Sequence, residues 1–266
     1  MEYPIVTFTS DFGDDDWFVG VVHGVIHELC PAARVVDLTH RIPPGDIERA
    51  GYVIESAAPD FARGTVHLVV VDPGVGTERR AIAVRARDQV FVGPDNGVLE
   101  WALSATGGEV RELTETHLFR QPVSRTFHGR DVFAPVAARL AAGLTFDAVG
   151  APVRDPIRHP AHVPEIADHH IRGRVAFVDR FGNVFTNITD RDLDAVFGDI
   201  AHERIDVEAV GRTIHGITRS YGDAAVGAVI ALIGSSGRLE IAQVRGDASQ
   251  RLGLALRDEV RVHVRR

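Results

Sequence analysis

The run VVVDPGVGTER at residues 69–79 decides how the centre of this chain folds. Its three valines extend an apolar stretch that begins at Gly64, so the stretch predicts a strand buried on both faces. Asp72 ends the strand, and the proline and glycines that follow fit neither a helix nor a central strand. Ligands of open α/β sheets bind where loops leave the carboxyl ends of strands. The run therefore predicts a functional loop containing Asp72 and Arg79, although a solvated surface ion pair accounts equally well for this stretch alone.

Strand-like and helical patterns alternate on both sides of this run. Apolar residues between Val19 and Leu29 recur at helical spacing, and residues 46–57 indicate a second helix with Asp46 as its N-cap. A short helix is expected at residues 98–104, and a helical stripe runs over residues 130–142. Strands are expected at residues 5–9, 34–38, 64–71, 81–86, 89–92 and 110–113. The alternation predicts a three-layer α/β domain with a mainly parallel sheet.

The composition changes between about residues 150 and 168, where prolines cluster without periodicity and a linker is expected. Beyond it, short apolar runs are separated by turn residues at the spacing of a barrel. These strands are expected at residues 171–179, 184–188, 205–210, 212–217, 229–233, 239–244 and 259–264. We therefore predict an N-terminal α/β domain over residues 1–160 and a C-terminal all-β barrel domain over residues 168–266.

Bulk composition excludes several classes of protein. The 266 residues carry a net charge of −8, and no basic stretch accumulates, so neither nucleic acid nor an acidic membrane is an expected partner. No apolar run approaches the roughly 18 residues of a membrane span, and no secretory signal is visible. The single cysteine, Cys30, allows no internal disulfide and is expected to be buried on a helix. These features predict a cytoplasmic protein.

Asp11 ends the first predicted strand, and three more aspartates follow it at residues 14–16. We expect Asp14 to Asp16 to cap the next helix, because a helix N-terminus favours negative charge. Asp11 differs from them because it stands at the carboxyl end of a strand. A carboxylate at that position can accept hydrogen bonds from both hydroxyls of a ribose. A turn residue without a function is the alternative interpretation of Asp11.

His128 lies in a polar, turn-prone segment, TFHGRD at residues 126–131, before a predicted helix. The 13 histidines show no spacing typical of a zinc or iron site, so no metal is expected. Together with Asp72 and Arg79, His128 could instead orient and polarise a water molecule. The guanidinium carries a fixed positive charge, which favours the hydroxide form of a nearby water in a desolvated pocket.

Two turns of the second predicted domain are candidates for binding. The run DRFGNVFTN at residues 179–187 contains Asn183, whose amide could pair with a purine edge while Phe181 or Phe185 stacks on its face. Simple turn chemistry is the alternative. The run GSSG at residues 234–237, followed by Leu239 and Glu240, could hold a carboxylate with backbone N–H groups or form only a flexible turn.

Taken together, seven segments resemble the S-adenosyl-L-methionine hydrolase (adenosine-forming) family. That family is related to fluorinating and chlorinating enzymes that use the same substrate. The resemblance covers essentially the whole chain, in order. The segments are TSDFG (9–13), VDLTH (36–40), DPGVGTER (72–79), PDNG (94–97), TFHGRD (126–131), DRFGN (179–183) and GSSG (234–237).

The resemblance implies hydrolysis of S-adenosyl-L-methionine to adenosine and L-methionine, by attack of an activated water on the ribose 5′ carbon, without metal or cofactor. The implied site divides into a hydrolytic triad and a set of binding residues. The triad is Asp72, Arg79 and His128. The binding residues are Asp11 for the ribose, Asn183 and Tyr221 for the adenine, Ser235 near the methionine end, and Glu240.

The family also implies a homotrimer, with each site between the N-terminal domain of one subunit and the C-terminal domain of its neighbour. The halogenating relatives differ at the decisive points, since they carry a tyrosine where His128 stands and lack the aspartate at Asp72. A halide-dependent synthase of 5′-halo-5′-deoxyadenosine and a non-catalytic adenosine- or S-adenosyl-L-methionine-binding protein are the alternative functions. The run QVRG at residues 243–246 lacks the asparagine pair usual in the family, so adenine contacts from these side chains are not implied.

Overall fold

The computed structural model describes residues 3–159, 163–167 and 169–265. The chain divides into two compact units, Met1–His159 and Pro160–Arg266. Residues 160–162 and 168 of the expected linker lie outside the described residues. Residue 168 is also the first residue of the predicted C-terminal domain. Within the described ranges, no helix is both long and apolar enough to cross a membrane.

The first unit is built on a six-stranded sheet with the strand order β2-β1-β3-β5-β4-β6. Its strands are β1 Ile5–Ser10, β2 Arg34–Thr39, β3 Val66–Val70, β4 Ala81–Ala86, β5 Gln89–Pro94 and β6 Glu109–Glu112. The pairs β1–β2, β1–β3 and β3–β5 are parallel, while β4 runs antiparallel to both of its neighbours. The predicted mainly parallel sheet is confirmed.

Helices cover both faces of this sheet. They are α1 Phe18–Leu29, α2 Ile47–Ala57, α3 Glu100–Leu103 and α4 Ala134–Ala141. Leu68 and Val70 of β3 pack into the core with α1 and α4, whereas Val69 and Val71 pack with α2 and α3. Successive side chains of a strand point to opposite faces, so a strand between two helical layers needs a continuous apolar run. The predicted three-layer arrangement is confirmed.

The predicted cap is confirmed at α2 and wrong at α1. The first turn of the helix predicted at residues 130–142 is π-helical, over Gly129–Phe133, before α4 begins. The Asp46 side chain accepts a hydrogen bond from the Arg49 N–H at 2.9 Å, which confirms the predicted N-cap. Helix α1 has Trp17 at its N-cap without a side-chain hydrogen bond, so the capping role expected for Asp14 to Asp16 is wrong. The Asp14 carboxylate instead accepts a hydrogen bond from Arg41 Nε at 2.5 Å.

The second unit is a nearly closed, barrel-like sheet with the order β11-β10-β15-β8-β9-β14-β13-β12, and β7 pairs with β8. Two short helices that the strand pattern does not reveal, α5 Asp190–Phe197 and α6 Ala248–Leu252, accompany it. The strands are β7 Glu165–Ala167, β8 His170–Val178, β9 Val184–Thr189, β10 Ile205–Ala209, β11 Arg212–His215, β12 Ile217–Thr218, β13 Val229–Ile233, β14 Arg238–Gln243 and β15 Glu259–Val264.

The region expected to be an unstructured linker takes part in both units. Before the undescribed residues, Ile157 N donates to the Asp95 carboxylate at 2.8 Å, and Arg80 pairs with Asp155 at 2.8 Å. After them, β7 pairs antiparallel with β8. The expectation of a linker without regular structure is therefore wrong at residues 165–167, because three residues are enough to add a strand to an available sheet edge.

Candidate active site

The candidate site of the first unit begins where β1 and β3 end together. These adjacent strands are parallel, with Ser10 opposite Val70 in the register. Asp11 and Asp72 follow the strands in sequence, so their loops leave the same edge of the sheet. Asn96 Nδ2 donates to the carbonyl of Val71 at 2.9 Å and holds the chain just before Asp72. The position is the one at which open α/β sheets bind ligands.

The loop after β3 folds back so that Arg79 reaches Asp72. Arg79 Nε lies 2.9 Å from Oδ1 and 3.0 Å from Oδ2 of Asp72, and a second guanidinium nitrogen also donates to Oδ2. Both side chains are largely buried, with exposed fractions of 10% for Arg79 and 6% for Asp72. A bidentate pair of this kind fixes the plane and direction of the guanidinium.

Gly76 allows this loop to pack closely against the segment before His128. It has a positive φ of 77°, and a Cβ atom at this position would overlap the carbonyl oxygen of Arg125. Glycine is the residue that accepts both the dihedral angle and the close approach. The loop of the Asp72–Arg79 pair and the His128 segment are therefore held together at backbone level.

His128 stands at the start of a π-helical turn, Gly129–Phe133, that leads into α4. Its Nδ1 atom lies 2.8 Å from a guanidinium nitrogen of Arg79. Arginine can only donate, so Nδ1 must be the acceptor, and the proton of the neutral ring is on Nε2. Asp72, Arg79 and His128 thus form one hydrogen-bonded chain that ends in an Nε2–H donor. We expect this donor to hold the oxygen of a water molecule.

The electrostatics favour the neutral form of this ring. Burial, followed by the positive charge of Arg79, lowers the pKa of His128 below its ordinary value. The charges of Asp72 and Asp131 oppose this shift. A lowered pKa keeps the imidazole neutral at physiological pH, so that it can accept from Arg79 and donate through Nε2 at the same time.

Asp11 is held by the backbone but retains a free oxygen. Oδ2 accepts a hydrogen bond from Gly45 N at 2.8 Å, and Oδ1 has no hydrogen-bond partner among the described residues. The next residue, Phe12, lies against Gly129, where an added Cβ would be 3.1 Å from its ring. The loop of Asp11 therefore packs directly on the turn that begins at His128.

In the second unit, Asp179 organises the turn that carries Asn183. One carboxylate oxygen of Asp179 accepts from Phe181 N at 2.8 Å and from Asn183 N at 2.9 Å, and the other accepts from Asn183 Nδ2 at 3.1 Å. The amide of Asn183 is thereby oriented with its carbonyl oxygen still available. Sequence reasoning did not select Asp179, although it is the first residue of the motif that contains Asn183.

Tyr221 and Glu240 form a second cluster beside this turn. The Tyr221 hydroxyl donates to Glu240 Oε1, and the Glu240 side chain is buried. Burial raises the pKa of Glu240, and the nearby charge of Asp179 adds to this, while the bond from Tyr221 opposes it. Burial and the bond to Glu240 raise the pKa of Tyr221. Because each carboxylate disfavours ionisation of the other, a cationic group would stabilise the pair.

The structure places the predicted residues in two groups. Asp72, Arg79 and His128 are directly connected in the first unit, with the Asp11 loop packed beside them.

Ser235 of the second unit is exposed in the turn between β13 and β14. It lies next to Gly234, where an added Cβ would lie 2.6 Å from Glu240 Oε2. The Gln243 side chain donates to the carbonyl of Gly227 at 3.0 Å, so it supports the fold of a neighbouring loop.

Two family models match this chain, one within each of its two compact units. The family model described as SAM hydroxide adenosyltransferase N-terminal domain matches residues 6–150. The model described as SAM hydroxide adenosyltransferase C-terminal domain matches residues 173–261.

Relatives match over nearly the full length. The chain is 40% identical to the (R)-S-adenosyl-L-methionine hydrolase of Salinispora tropica, with 97% of both chains covered. It is 41% identical to the protein of the same name from Thermus thermophilus, over 94% of this chain and 95% of the relative. A fluorinase of Nocardia brasiliensis is 30% identical, with 90% of both chains covered.

Solved structures share the fold. The crystal structure of an uncharacterized conserved protein from Thermotoga maritima aligns with a TM-score of 0.90 at 37% identity, covering 97% of this chain and 99% of that one. The crystal structure of a conserved hypothetical protein from Thermus thermophilus aligns with a TM-score of 0.77 at 38% identity, with the same coverage.

Proposed function

Because this chain belongs to the SAM hydroxide adenosyltransferase family, we propose that it is an enzyme that hydrolyses S-adenosyl-L-methionine to adenosine and L-methionine. The observation that carries the proposal is the hydrogen-bonded chain from Asp72 through Arg79 to His128. It presents a neutral imidazole N–H and a fixed positive charge at the edge of the sheet where ligands bind.

The reaction needs little acid catalysis. A water oxygen forms a bond to the ribose 5′ carbon as the carbon–sulfur bond breaks, and the bonding pair leaves with sulfur to give the neutral thioether of methionine. One proton of the water is released. The sulfonium is already a good leaving group, so the barrier lies in holding a weak nucleophile in line. Positioning in well-oriented cases supplies roughly 7–11 kcal/mol.

Each member of the triad has a separate task in this proposal. His128 donates its Nε2–H to the water oxygen and fixes its position. Arg79 supplies positive charge that favours the developing hydroxide. Asp72 orients Arg79, because both of its oxygens accept hydrogen bonds from the guanidinium. We therefore assign Asp72 to positioning first and proton acceptance second.

Binding of the substrate is assigned to the remaining residues. The free oxygen of Asp11 suits a ribose hydroxyl, and the available carbonyl of Asn183 suits the exocyclic amine of adenine. We assign Tyr221 to the adenine ring and Ser235 to the methionine end. Glu240, which interacts electrostatically with Asp179, is assigned to the methionine ammonium group. The positive charge of that group would offset the raised pKa of Glu240 and favour its ionised form.

The assembly and setting of the enzyme are also proposals. We propose N-terminal and C-terminal domains over residues 1–160 and 168–266, and a homotrimer whose sites combine the first domain of one subunit with the second domain of its neighbour. We further propose that the reaction uses no cofactor and no metal, and that the enzyme acts in the cytoplasm, which the single buried cysteine supports.

The relatives' names specify the R configuration, so we propose the R sulfonium epimer as the preferred substrate. The test is incubation of the purified protein with each epimer, with and without chloride or fluoride, followed by identification of the nucleoside. Adenosine from the R epimer, independent of halide and undiminished by a chelator, supports the proposal. A 5′-halo nucleoside would favour the halide-dependent synthase, and binding without turnover would favour the non-catalytic binding protein.

A further inference from the structure

Another cluster of polar side chains lies on the first unit and shares no residue with the triad. It joins His23 of α1, Asp37 of β2 and His40 just after β2. The Nε2 atom of His23 lies 2.8 Å from Oδ1 of Asp37, and the Nε2 atom of His40 lies 3.1 Å from the same oxygen. One ligand atom from each residue falls within 4.8 Å of the other two. The two short separations are compatible with binding to one small cation after a small adjustment of the side chains.

His40 provides an independent sign of a ligand. Its side chain is only 5% exposed, and its Nε2 atom makes no hydrogen bond among the described residues despite the nearby carboxylate. Its Nδ1 atom lies 2.8 Å from Ser10 Oγ. A histidine that binds a metal through one nitrogen commonly donates the other N–H to an oxygen, which fixes the tautomer and the ring direction. Ser10 is placed to accept that proton.

We propose that His23, Asp37 and His40 bind a divalent transition-metal ion, for which Zn²⁺ is the best match. Two neutral imidazoles and one carboxylate are a familiar three-residue zinc ligand set, with remaining positions filled by water. The side chains of His23 and Asp37 are 28% and 38% exposed, so ion and water can enter from solvent. An ion also uses the buried Nε2 lone pair of His40, which otherwise lacks a good partner.

The ion would stabilise the fold around the first candidate site. It would join α1 to β2, which lies at the edge of the sheet next to β1 in the order of the described strands. The carbonyl of His40 accepts a hydrogen bond from Gly13 N at 2.8 Å, so the same turn supports the loop that carries Asp11. The ion takes no part in the water chemistry assigned to Asp72, Arg79 and His128. The metal-site proposal is therefore independent of the proposed hydrolysis.

Asp37 and His40 are three residues apart, but this one short pair does not predict a metal site without a third ligand. Typical zinc motifs place pairs of ligands a few residues apart on one element. Here His23 comes from a helix and the other two ligands come from the following strand and its end, so only the packing of α1 on the sheet edge brings the three together.

The test is calorimetric titration of ZnCl₂ into the full chain, carrying no affinity tag and treated with a chelator that is then removed. We expect one saturable equivalent in the unaltered protein. His23→Ala and Asp37→Asn should each weaken its binding by at least ~10-fold. His27→Ala is the matched control, because His27 is exposed one turn further along α1 and lies outside the cluster. That variant should bind like the unaltered protein.

Two further readouts distinguish a built site from scattered surface histidines. Co²⁺ loaded in place of Zn²⁺ should give a visible absorption band that His23→Ala loses and His27→Ala keeps. Zn²⁺ should also raise the Tm of the unaltered protein and of His27→Ala, but not that of His23→Ala. The absence of a saturable equivalent, or equal binding by all four proteins, would overturn the proposal.

Discussion

At the scale of single residues, the proposed hydrolysis depends on the protonation state of one imidazole. Arg79 can only donate, so His128 must be neutral with its proton on Nε2, and this makes it a donor to water. The three residues of this hydrogen-bonded chain are assigned to the water, whereas Asp11 is assigned to the nucleoside. Turnover and binding should therefore respond to different substitutions.

Arg79→Ala should lower kcat by about 10²–10³-fold, because it removes the positive charge beside the attacking oxygen and the partner of His128. Adenosine affinity should stay close to its original value. Asp11→Ala should instead weaken adenosine binding by roughly 10–100-fold, since a charge-assisted hydrogen bond is lost. Steady-state kinetics and calorimetry with adenosine measure both effects.

Glu78→Ala is the control for this pair of variants, because Glu78 is the exposed neighbour of Arg79 in the same loop. It should keep both turnover and affinity. If Arg79→Ala and Asp11→Ala lose adenosine binding to the same extent, the division of labour between the two residues is wrong.

The pH profile should show the lowered pKa of His128. Protonation of the ring places a second cation beside Arg79 and removes the Nδ1 acceptor, so kcat should fall as the solution becomes acidic. Because the folded-state pKa is lowered, the midpoint should lie below the ordinary value of 6.5, with a plateau through neutral pH. Circular dichroism over the same range excludes unfolding as the cause, and a midpoint above 6.5 would contradict the assignment.

At the scale of elements, the 72–79 loop and the segment that leads into the π-helical turn hold the triad, and Gly76 packs against that segment at Arg125. Gly76→Ala should force the 72–79 loop away from Arg125, because the new Cβ meets a backbone carbonyl. A displacement of about 1 Å at the reacting groups lowers kcat by roughly 10²-fold. Adenosine affinity should change little, since Asp11 is on another loop.

Gly64→Ala is the matched control for backbone strain. Gly64 has a similar positive φ of 81°, yet an added Cβ there meets nothing within 4 Å. Gly64→Ala should reproduce the loss of stability that backbone strain causes in Gly76→Ala, but it should not reproduce the loss of turnover. Equal kcat for the two variants would show that the loop contact does not position the triad.

The strands of the first unit were predictable because β3 alternates its valines between two helical layers and needs an unbroken apolar run. The Asp72–Arg79 pair followed from its place after that strand. Three features were not predictable from local pattern. The π-helical turn before α4 depends on packing against Phe12 and Val70, the residues at 165–167 form a strand only because β8 is available, and the His23–Asp37–His40 cluster depends on helix–strand packing.

At the scale of the whole molecule, the proposed trimer makes each site depend on two subunits. Mixing the inactive variants Asp72→Ala and Asn183→Ala should restore part of the activity, because some reassembled sites then combine two unaltered halves across a cyclic interface. Subunit exchange is verified by mass spectrometry of differently labelled chains. Complete absence of recovery after verified exchange would mean that each site is formed within one chain.

In the proposed reaction, water supplies the new oxygen at the ribose 5′ carbon. The most direct measurement is turnover in H₂¹⁸O followed by mass spectrometry of both products. We expect one ¹⁸O atom in the 5′-hydroxyl of adenosine and none in methionine. Unlabelled adenosine, a labelled methionine or a 5′-halo nucleoside as the main product would contradict the claim.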